Sequence, residues 1–253
     1  MIMPRHHFKT GLHSAERRHF KMAGRIQLVI ISIGGGHATG VLSVGLQIKE
    51  SLSKIFPHTK IRVMDLDELG NAKPRFYSSK DYDFETVYRE LTESKHFAET
   101  VPIKNASDAN SHDPIELVLL CGCYALYDEK INNLAQLKIF LDSDGDKRLI
   151  NLIKLRNVTN KEEFAELLTE YMDHLRIEMQ KFIAPTRANA DLVIPCSNDG
   201  TGCAIITDGI VRVVQDIKGN GSLSNASSNP VPLLLDLEAE RMDVERERYY
   251  DLA

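Results

Sequence analysis

Five short apolar runs of strand length alternate along the chain with segments of helical periodicity. The segment after the first run repeats apolar residues at helical spacing from Val41 to Ile55. Strands that alternate with helices predict an α/β fold, in which a parallel sheet has helices on both faces and ligands beyond the carboxyl ends of its strands. The five predicted strands lie in IQLVIISI, KIRVMDLDEL, IELVLLCGCYAL, LKIFLDSD and DLVIPC.

Polar segments divide the chain into three parts. Residues 1–24 contain several His and Arg without an apolar pattern, which predicts a disordered basic arm, and residues 25–218 form the main domain. Residues 219–253 are predicted to be a linker and a C-terminal tail, and the tail is either a docking helix or a solvated extension. Within the domain, residues 70–114 are polar and predict irregular insertions or a lid over the sheet edge.

Composition and charge exclude several classes of function. The chain has 253 residues and a formal net charge of −5, which gives no overall attraction to nucleic acid or to an anionic membrane. Its apolar runs are far short of the roughly 20 residues that a membrane helix needs, so we expect a soluble protein. Four cysteines and the lack of a secretory signal favour reduced thiols in the cytoplasm or the nucleus. We interpret Cys121 and Cys123 as buried small hydrophobes rather than as half of a zinc site.

A glycine-rich stretch, IGGGHATGVL, follows the first predicted strand and has the outline of a phosphate-binding loop. Such a loop needs a Lys for charge and a hydroxyl for magnesium, but those positions hold Val41 and Leu42. Its N–H groups and the helix N-terminus either still bind an anion or nucleotide, or the loop keeps its conformation without binding a ligand. The candidate phosphate- or nucleotide-binding residues are Gly35, Gly36, His37, Ala38, Thr39 and Gly40. His37 is a candidate substitute cation, although a free imidazole is mostly neutral at neutral pH.

Five blocks follow one another along the chain: GGHATG, MDLDEL, LVLLCGCYALY, KIFLDSDGDKRL and FIAPTRANADLVIP. Taken in this order, they resemble the uridine/cytidine kinase branch of the P-loop kinases, which is phosphoribulokinase/uridine kinase-like. The resemblance covers about residues 25–217. It implies a P-loop kinase-like parallel sheet with a small lid, and transfer of the γ-phosphoryl group of ATP to the 5′-hydroxyl of uridine or cytidine, with Mg²⁺ and an acidic base.

The same resemblance identifies charged residues that this chain lacks. Cys121 stands where the family has an acid that helps to hold the metal, so no metal-ligating residue is predicted. Of the lid arginines the chain keeps Arg148. The other lid positions hold Asn151, Leu152, Leu155, Asn160 and Glu162, and the base-recognition positions offer Lys104 and Ala109, with His112 displaced.

Three site residues are retained or replaced by similar ones. Asp67 matches the family's catalytic base, with Asp65 as a competitor if the register slips by two residues. Glu85 is a candidate replacement for the ribose-binding Asp, and Arg148 is a further candidate for nucleoside binding. The resemblance therefore implies that the skeleton of the site is kept while most of its charged groups are lost.

Two hypotheses about function follow. In the first, the chain is a uridine kinase-like protein with lost or strongly reduced phosphoryl transfer that acts as a regulatory, scaffolding or nucleotide-sensing partner. It would assemble with itself or with an active uridine kinase. In the second, it is a divergent, active ATP- and Mg²⁺-dependent uridine/cytidine kinase of pyrimidine salvage. The replacement charge in that case would come from Lys49, Arg148, Arg156 or Lys161.

Overall fold

The structure, a computed structural model, describes residues 26–69, 75–100, 115–196 and 200–220. Five parallel strands in these ranges form one sheet with the order β2-β3-β1-β4-β5, which confirms the predicted α/β fold. Four strands lie within the apolar runs that predicted them, and β1 extends two residues beyond its run, to Gly35. The strands are β1 (Gln27–Gly35), β2 (Lys60–Asp65), β3 (Ile115–Cys121), β4 (Leu137–Asp142) and β5 (Leu192–Pro195).

The carboxyl ends of the three inner strands and of β2 meet at one edge of the sheet. Asp65 of β2 and Ile33 of β1 both lie in register with Cys121 of β3. Gly35, the last residue of β1, lies in register with Leu141 of β4. The residues that follow these strands therefore converge where ligands bind to open α/β sheets.

Helical segments connect the strands, as the periodicity predicted. The α-helices are α1 (Val41–Ile55), α2 (Leu66–Leu69), α3 (Phe84–Thr100), α4 (Glu129–Asn132), α5 (Gly145–Leu155), α6 (Lys161–Glu170), α7 (Arg176–Glu178) and α8 (Thr201–Asn220). A short 3-10 helix spans Ser79–Asp81. Two π-helical turns, Tyr171–Leu175 and Met179–Ile183, flank α7, so the chain is helical without a break from Lys161 to Ile183. A 3-10 turn at Ala184–Asn189, with Pro185 near its start, ends this segment before β5.

Apolar side chains pack on both faces of the sheet because alternate residues of a strand point to opposite faces. Val29, Ile31 and Ile33 of β1 belong to one cluster, together with residues of α1 and α8. Leu28 and Ile30 belong to a second cluster, which includes residues of α2 and α3. Both faces of β1 are therefore buried, which is why its sequence is an apolar run interrupted only by Ser32.

The structure corrects two expectations. Residues 84–100, within the segment expected to be irregular, form the regular helix α3, which buries Val87 and Leu91 one helical turn apart. The third strand is shorter than its apolar run, because β3 ends at Cys121 and Gly122 turns the chain with a φ of 156°. A Cβ at Gly122 would lie 2.8 Å from Leu66 Cβ, so this turn requires glycine.

Some sequence predictions concern residues outside the described ranges. They are the basic arm of residues 1–24, most of the linker and tail of residues 219–253, and the positions Lys104, Ala109 and His112. Within the ranges that the structure does describe, no helix combines the length and the apolarity needed to cross a membrane.

Candidate functional site

The glycine-rich loop connects β1 to α1, as predicted, and is folded tightly on itself. Both the N–H and the hydroxyl of Thr39 donate to the carbonyl of Gly36, at 3.2 and 2.7 Å. Ala38 and Gly40 adopt left-handed conformations, with φ values of 55° and 79°. Gly40 is the N-cap of α1 and provides no side-chain hydrogen bond, and the first turn of α1 contains no acid. The positive end of the α1 dipole is therefore left without a negative partner from its own first turn.

Val41 and Leu42 occupy the positions where a phosphate-binding loop has Lys and a hydroxyl. The Val41 side chain packs into the apolar cluster under α1 and is 6% exposed, whereas Leu42 is 38% exposed. A Cβ at Gly35 would lie 2.9 Å from Thr39 Oγ1 and 3.0 Å from Val41 Cγ2. The space beside Gly35 is thus filled by the loop's own uncharged side chains.

His37 points from the loop into a buried polar cluster. Its Nε2 lies 3.0 Å from Oε2 of Glu178, within ion-pair distance but without hydrogen-bond alignment. Its Nδ1 lies 3.6 Å from Sγ of Cys123. As a substitute cation His37 is poorly placed, because Glu178 would already neutralise a positive charge on its ring.

Glu178 is the centre of this cluster, and sequence reasoning did not identify it. The residue is 1% exposed, and its carboxylate accepts hydrogen bonds from the hydroxyl of Tyr124 at 3.0 Å and from Nη2 of Arg75 at 3.4 Å. It lies in α7, between the two π-helical turns, and such turns are frequent at functional sites. One sequence signal was available, because Glu178 follows the buried residues Tyr171 and Leu175 at helical spacing and is therefore an acid at a core position.

Asp67, the candidate base, lies in α2 directly after β2. Its carboxylate accepts from the N–H of Cys123 at 3.0 and 3.3 Å and from the hydroxyl of Tyr82 at 3.1 Å. The residue keeps an exposed surface, but the protein around its carboxylate raises the pKa of Asp67, chiefly through desolvation and also through the charge of Asp65. The hydrogen bonds from Cys123 and Tyr82 oppose this rise. A raised carboxyl pKa is the direction that favours a general base near neutral pH.

Asp65, the competing candidate, accepts the N–H of Asp67 on its Oδ1 at 2.9 Å and so fixes the turn that presents Asp67. Tyr82, which donates to Asp67, belongs to a cluster of aromatic rings. The rings of Tyr82 and Tyr124 lie 4.6 Å apart, and those of Phe84 and Tyr127 are stacked at 5.6 Å. This arrangement provides a carboxylate beside aromatic faces.

Cys121 and Cys123 are both buried, as predicted, but they point in different directions. The Sγ of Cys121 packs against Gly45 of α1 so closely that a side chain at Gly45 would overlap it. Burial, and then the charges of Asp65 and Asp67, raise the pKa of Cys121 to about 12. Burial likewise raises the pKa of Cys123, which contacts His37. Both thiols are therefore neutral at physiological pH.

Magnesium does not fit the two positions that the resemblance assigns to it. Leu42 has no oxygen, and a neutral buried thiol such as Cys121 is a poor ligand for a hard cation. Among the described residues, no three His, Cys, Asp or Glu side chains are grouped so that they could hold a metal ion.

Arg148 and Glu85 lie in different surroundings. Arg148, in α5, is 8% exposed, and its Nη1 lies 2.9 Å from the position that a Cβ of Gly36 would occupy. Asn151, one turn later in α5, donates from Nδ2 to the carbonyl of Ala38 at 2.9 Å. Glu85 is exposed in the first turn of α3 and pairs with Lys130 at 3.0 Å. The structure therefore brings Arg148 to the loop, and it places Glu85 in a surface ion pair.

A cavity of about 890 Å³ opens beside the loop, between α1, α5, α8 and the ends of β4 and β5. Thr39 and Gly40 line it on the loop side, and Lys147, Asn151 and Lys154 line it on the α5 side. This volume lies within the range of small-molecule sites in proteins.

The chain is similar to several known proteins. The family model described as "Phosphoribulokinase / Uridine kinase family" matches residues 30–201. The "Putative uridine kinase DAS2" of Saccharomyces cerevisiae is 46% identical over 228 residues, which cover 89% of this chain and 96% of the yeast protein. A "Uridine kinase" of Lactococcus lactis is 26% identical over 206 residues, which cover 74% of this chain and 98% of that protein. A solved structure of phosphoribulokinase from Rhodobacter spheroides aligns with a TM-score of 0.45 at 18% identity, over 67% of this chain and 70% of that chain. By the family model and the yeast relative, the chain belongs to the phosphoribulokinase/uridine kinase family.

Proposed function

We propose that this protein is a uridine kinase-like protein with lost or strongly reduced phosphoryl transfer. It binds a nucleotide or nucleoside and acts as a regulatory, scaffolding or nucleotide-sensing partner. The observation that carries the proposal is the position of Val41, which is buried in the core where the loop needs a Lys. Phosphoryl transfer depends on positioning and on stabilising a charge-rich transition state, and Val41 supplies no charge.

The other losses act in the same direction. Leu42 and Cys121 cannot replace the magnesium ligands, and Asn151 donates to the loop itself instead of providing a lid charge. Each lost interaction removes on the order of 2–4 kcal/mol of transition-state stabilisation, by analogy with the deletion of single donors at other active sites. Even without additivity, a rate loss of roughly 10³-fold follows.

Ligand binding is supported by features that do not depend on catalysis. The cavity beside Thr39 and Gly40 is large enough for a nucleotide-sized ligand. The α1 helix has no side-chain cap at its N-terminus, which is a favourable place for an anion. Relatives named uridine kinase favour a pyrimidine nucleoside or its nucleotide as the ligand class.

The alternative is a divergent, active ATP- and Mg²⁺-dependent uridine/cytidine kinase of pyrimidine salvage. Asp67 favours it, because the raised pKa of this carboxyl and its hydrogen bonds from Cys123 and Tyr82 suit an oriented base. Activity would then require a cation from another element, and the guanidinium of Arg148 lies against Gly36.

A kinase assay with ATP, Mg²⁺ and labelled uridine decides between the two. We expect turnover to be undetectable or at least about 10³-fold below that of a uridine kinase whose loop keeps the Lys. Turnover near about 1 per second, the low end usual for kinases, would overturn the proposal. Calorimetric titration with ATP, GTP and UTP, with and without Mg²⁺, then separates a nucleotide sensor, which binds one of them, from a pure scaffold.

We further propose that the protein assembles as a homo-oligomer or with an active uridine kinase, in the cytoplasm or the nucleus. An interaction surface is supported by three partly exposed apolar side chains on the helical segment from Lys161 to Ile183. They are spaced four residues apart: Phe164, Leu168 and Met172 are 41%, 37% and 46% exposed. Light scattering of the full chain tests self-assembly. A monomer that also fails to co-purify with a uridine kinase would contradict the proposal.

A further inference from the structure

The hydroxyl of Tyr82 is hydrogen-bonded to the candidate base, Asp67. It donates to Oδ1 of Asp67 at 3.1 Å. A general base must lie within hydrogen-bond reach of the proton that it accepts, so this is the position from which a ligand hydroxyl would donate. Burial, and then the charge of Asp67, raise the pKa of Tyr82, so its hydroxyl keeps its proton at physiological pH. A side chain of the protein thus makes the contact that a base makes with its substrate.

The turn after β3 also packs against the Asp67 carboxylate. The N–H of Cys123 donates to both carboxylate oxygens, at 3.0 and 3.3 Å. A Cβ at Gly122 would lie 3.1 Å from Oδ1 and 3.4 Å from Cγ of Asp67. Together with the Tyr82 hydroxyl, these contacts use most of the roughly four lone-pair positions of a carboxylate. The Cys123 N–H belongs to the backbone, so Tyr82 is the donor that a ligand hydroxyl can replace.

The Tyr82 side chain can move while its backbone stays in place. The backbone is fixed, because the N–H of Tyr82 donates to the carbonyl of Ser79 at 3.3 Å and the adjacent Asp81 is buried. The ring is only half-buried and lies 4.6 Å from the ring of Tyr124. Rotation about the side-chain torsions is therefore enough to withdraw the hydroxyl from Asp67.

The charges around Tyr82 indicate what kind of ligand could replace its hydroxyl. In addition to desolvation, the charge of Asp65 raises the pKa of Asp67, and the charges of Asp67 and Glu178 raise the pKa of Tyr82. The guanidinium of Arg75 lies 3.4 Å from Glu178. Surroundings that are negative favour a neutral hydrogen-bond donor over an anion. A free sugar hydroxyl fits this position, and a phosphate does not.

We propose that Tyr82 is an internal competitor for Asp67. Its hydroxyl takes the hydrogen-bonding position of a nucleoside's sugar hydroxyl, and the nucleoside binds by displacing it. Tyr82 thereby lowers the affinity for every nucleoside, and it lowers it most for one that brings no hydroxyl to Asp67, because such a ligand does not replace the lost hydrogen bond. The inference rests on the proposed function, since it concerns the nucleoside side of the same site.

Calorimetric titration of uridine into the full-length protein tests this, with Tyr82→Phe as the variant that keeps the ring and removes the hydroxyl. We expect Tyr82→Phe to bind uridine about 2- to 10-fold more tightly than the wild type, which corresponds to the net free energy of one hydrogen bond. 5′-Deoxyuridine lacks the hydroxyl that the resemblance assigns to Asp67, and Tyr82→Phe should not gain affinity for it in the same way. The matched control is Tyr88→Phe on α3, whose ring lies 5.7 Å from the ammonium of Lys130; its uridine affinity is expected to stay within about twofold of wild type.

The pKa of Asp67, measured by NMR of its carboxyl carbon, gives a readout that needs no ligand. Desolvation raises the pKa of Asp67, and the hydrogen bond from Tyr82 opposes that rise. Tyr82→Phe should therefore raise the pKa of Asp67 further, and Tyr88→Phe should leave it unchanged. In an Asp67→Asn background, Tyr82→Phe should change uridine affinity by less than about twofold, because the competition is for that carboxylate.

Several results would overturn the proposal. Weaker uridine binding by Tyr82→Phe would show that the hydroxyl contacts the ligand instead of competing with it. An equal gain for uridine and 5′-deoxyuridine would show that the substitution only enlarges the pocket. An unchanged pKa of Asp67, or uridine binding by neither protein, would also overturn it. The proposed loss of phosphoryl transfer is judged separately by turnover, and nucleotide binding by titration with ATP, GTP and UTP.

Discussion

Replacing Glu178 should destabilise the protein more than replacing any exposed acid of the same helical segment. In Glu178→Ala the hydroxyl of Tyr124, a residue that is 1% exposed, loses its acceptor, and His37 loses the carboxylate at 3.0 Å. The contact with Arg75 contributes little to the free energy of unfolding, because the Arg75 side chain is 40% exposed and its Nη2 lies 3.4 Å from Oε2 of Glu178. The destabilisation is therefore set by the two buried partners.

The magnitude follows from these contacts. A buried polar group left without a partner costs about 1–3 kcal/mol, and Glu178→Ala removes the carboxylate from two buried side chains, Tyr124 and His37. We expect Glu178→Ala to lower the free energy of unfolding by about 2–5 kcal/mol. Glu178→Gln should lower it by about 1–3 kcal/mol, since an amide oxygen can still accept from Tyr124. In a domain of this size each kcal/mol shifts the unfolding temperature by roughly 2–4 °C.

Urea unfolding followed by circular dichroism measures these differences. The matched control is Glu166→Gln, an exposed acid of α6, which should change the free energy of unfolding by less than about 0.5 kcal/mol. If Glu178→Gln and Glu166→Gln were indistinguishable from each other, the buried cluster around Glu178 would not be a stabilising feature and the reasoning would be refuted.

Two further predictions concern the loop and Asp67. Val41→Lys with Leu42→Ser should raise the affinity for nucleotide, measured by calorimetry. Full turnover should not return, because the acid replaced by Cys121 and the lid arginines are still missing. Full kinase activity from these two changes alone would contradict the proposed losses at Cys121 and the lid. The raised pKa of Asp67 means that the folded protein binds the proton more tightly than the unfolded chain. The wild type should therefore lose stability relative to Asp67→Asn as pH rises from the ordinary Asp pKa of about 4 toward neutrality. Urea unfolding at several pH values tests this, and a constant difference between the two proteins would show that the pKa is not raised.

The sheet was predictable because its strands are apolar on both faces. In β1 every residue from Leu28 to Gly35 is buried, so the sequence is an apolar run, interrupted only by Ser32, that ends at the glycine loop. Helix α3 escaped prediction because its buried face consists of few residues, with Val87 and Leu91 in an otherwise polar segment. The length of β3 was overestimated because the turn after Gly122 is itself buried through Tyr124 and Leu126. Periodicity separates buried from exposed residues, but it does not separate a buried strand from a buried turn.

The chemistry of the site was only partly predictable, for a different reason. The loop could be identified because it follows a predicted strand, and Asp67 because the resemblance places the family's catalytic base in the MDLDEL block. The partners of His37 could not, because Glu178 and Cys123 reach it from elements far away in the sequence. The resemblance identified Arg148 as a retained lid arginine, but its packing against Gly36 depends on how α5 docks on the loop.

The surroundings of His37 and those of Gly36 differ in their balance of charge. On the side of His37, Glu178 faces the guanidinium of Arg75 and the imidazole of His37, so the cation on that side has a carboxylate partner. On the side of Gly36, Arg148 has no carboxylate among the described residues, and the α1 terminus adds a positive dipole. A Lys introduced at residue 41 would therefore add a second positive charge to an already positive loop. Without ligand the two cations would repel each other and destabilise the fold, whereas a bound polyphosphate would neutralise both. The stability of the Val41→Lys protein should thus depend more on a bound ligand than the stability of the wild type does. Adding Arg148→Met to Val41→Lys should remove part of that dependence.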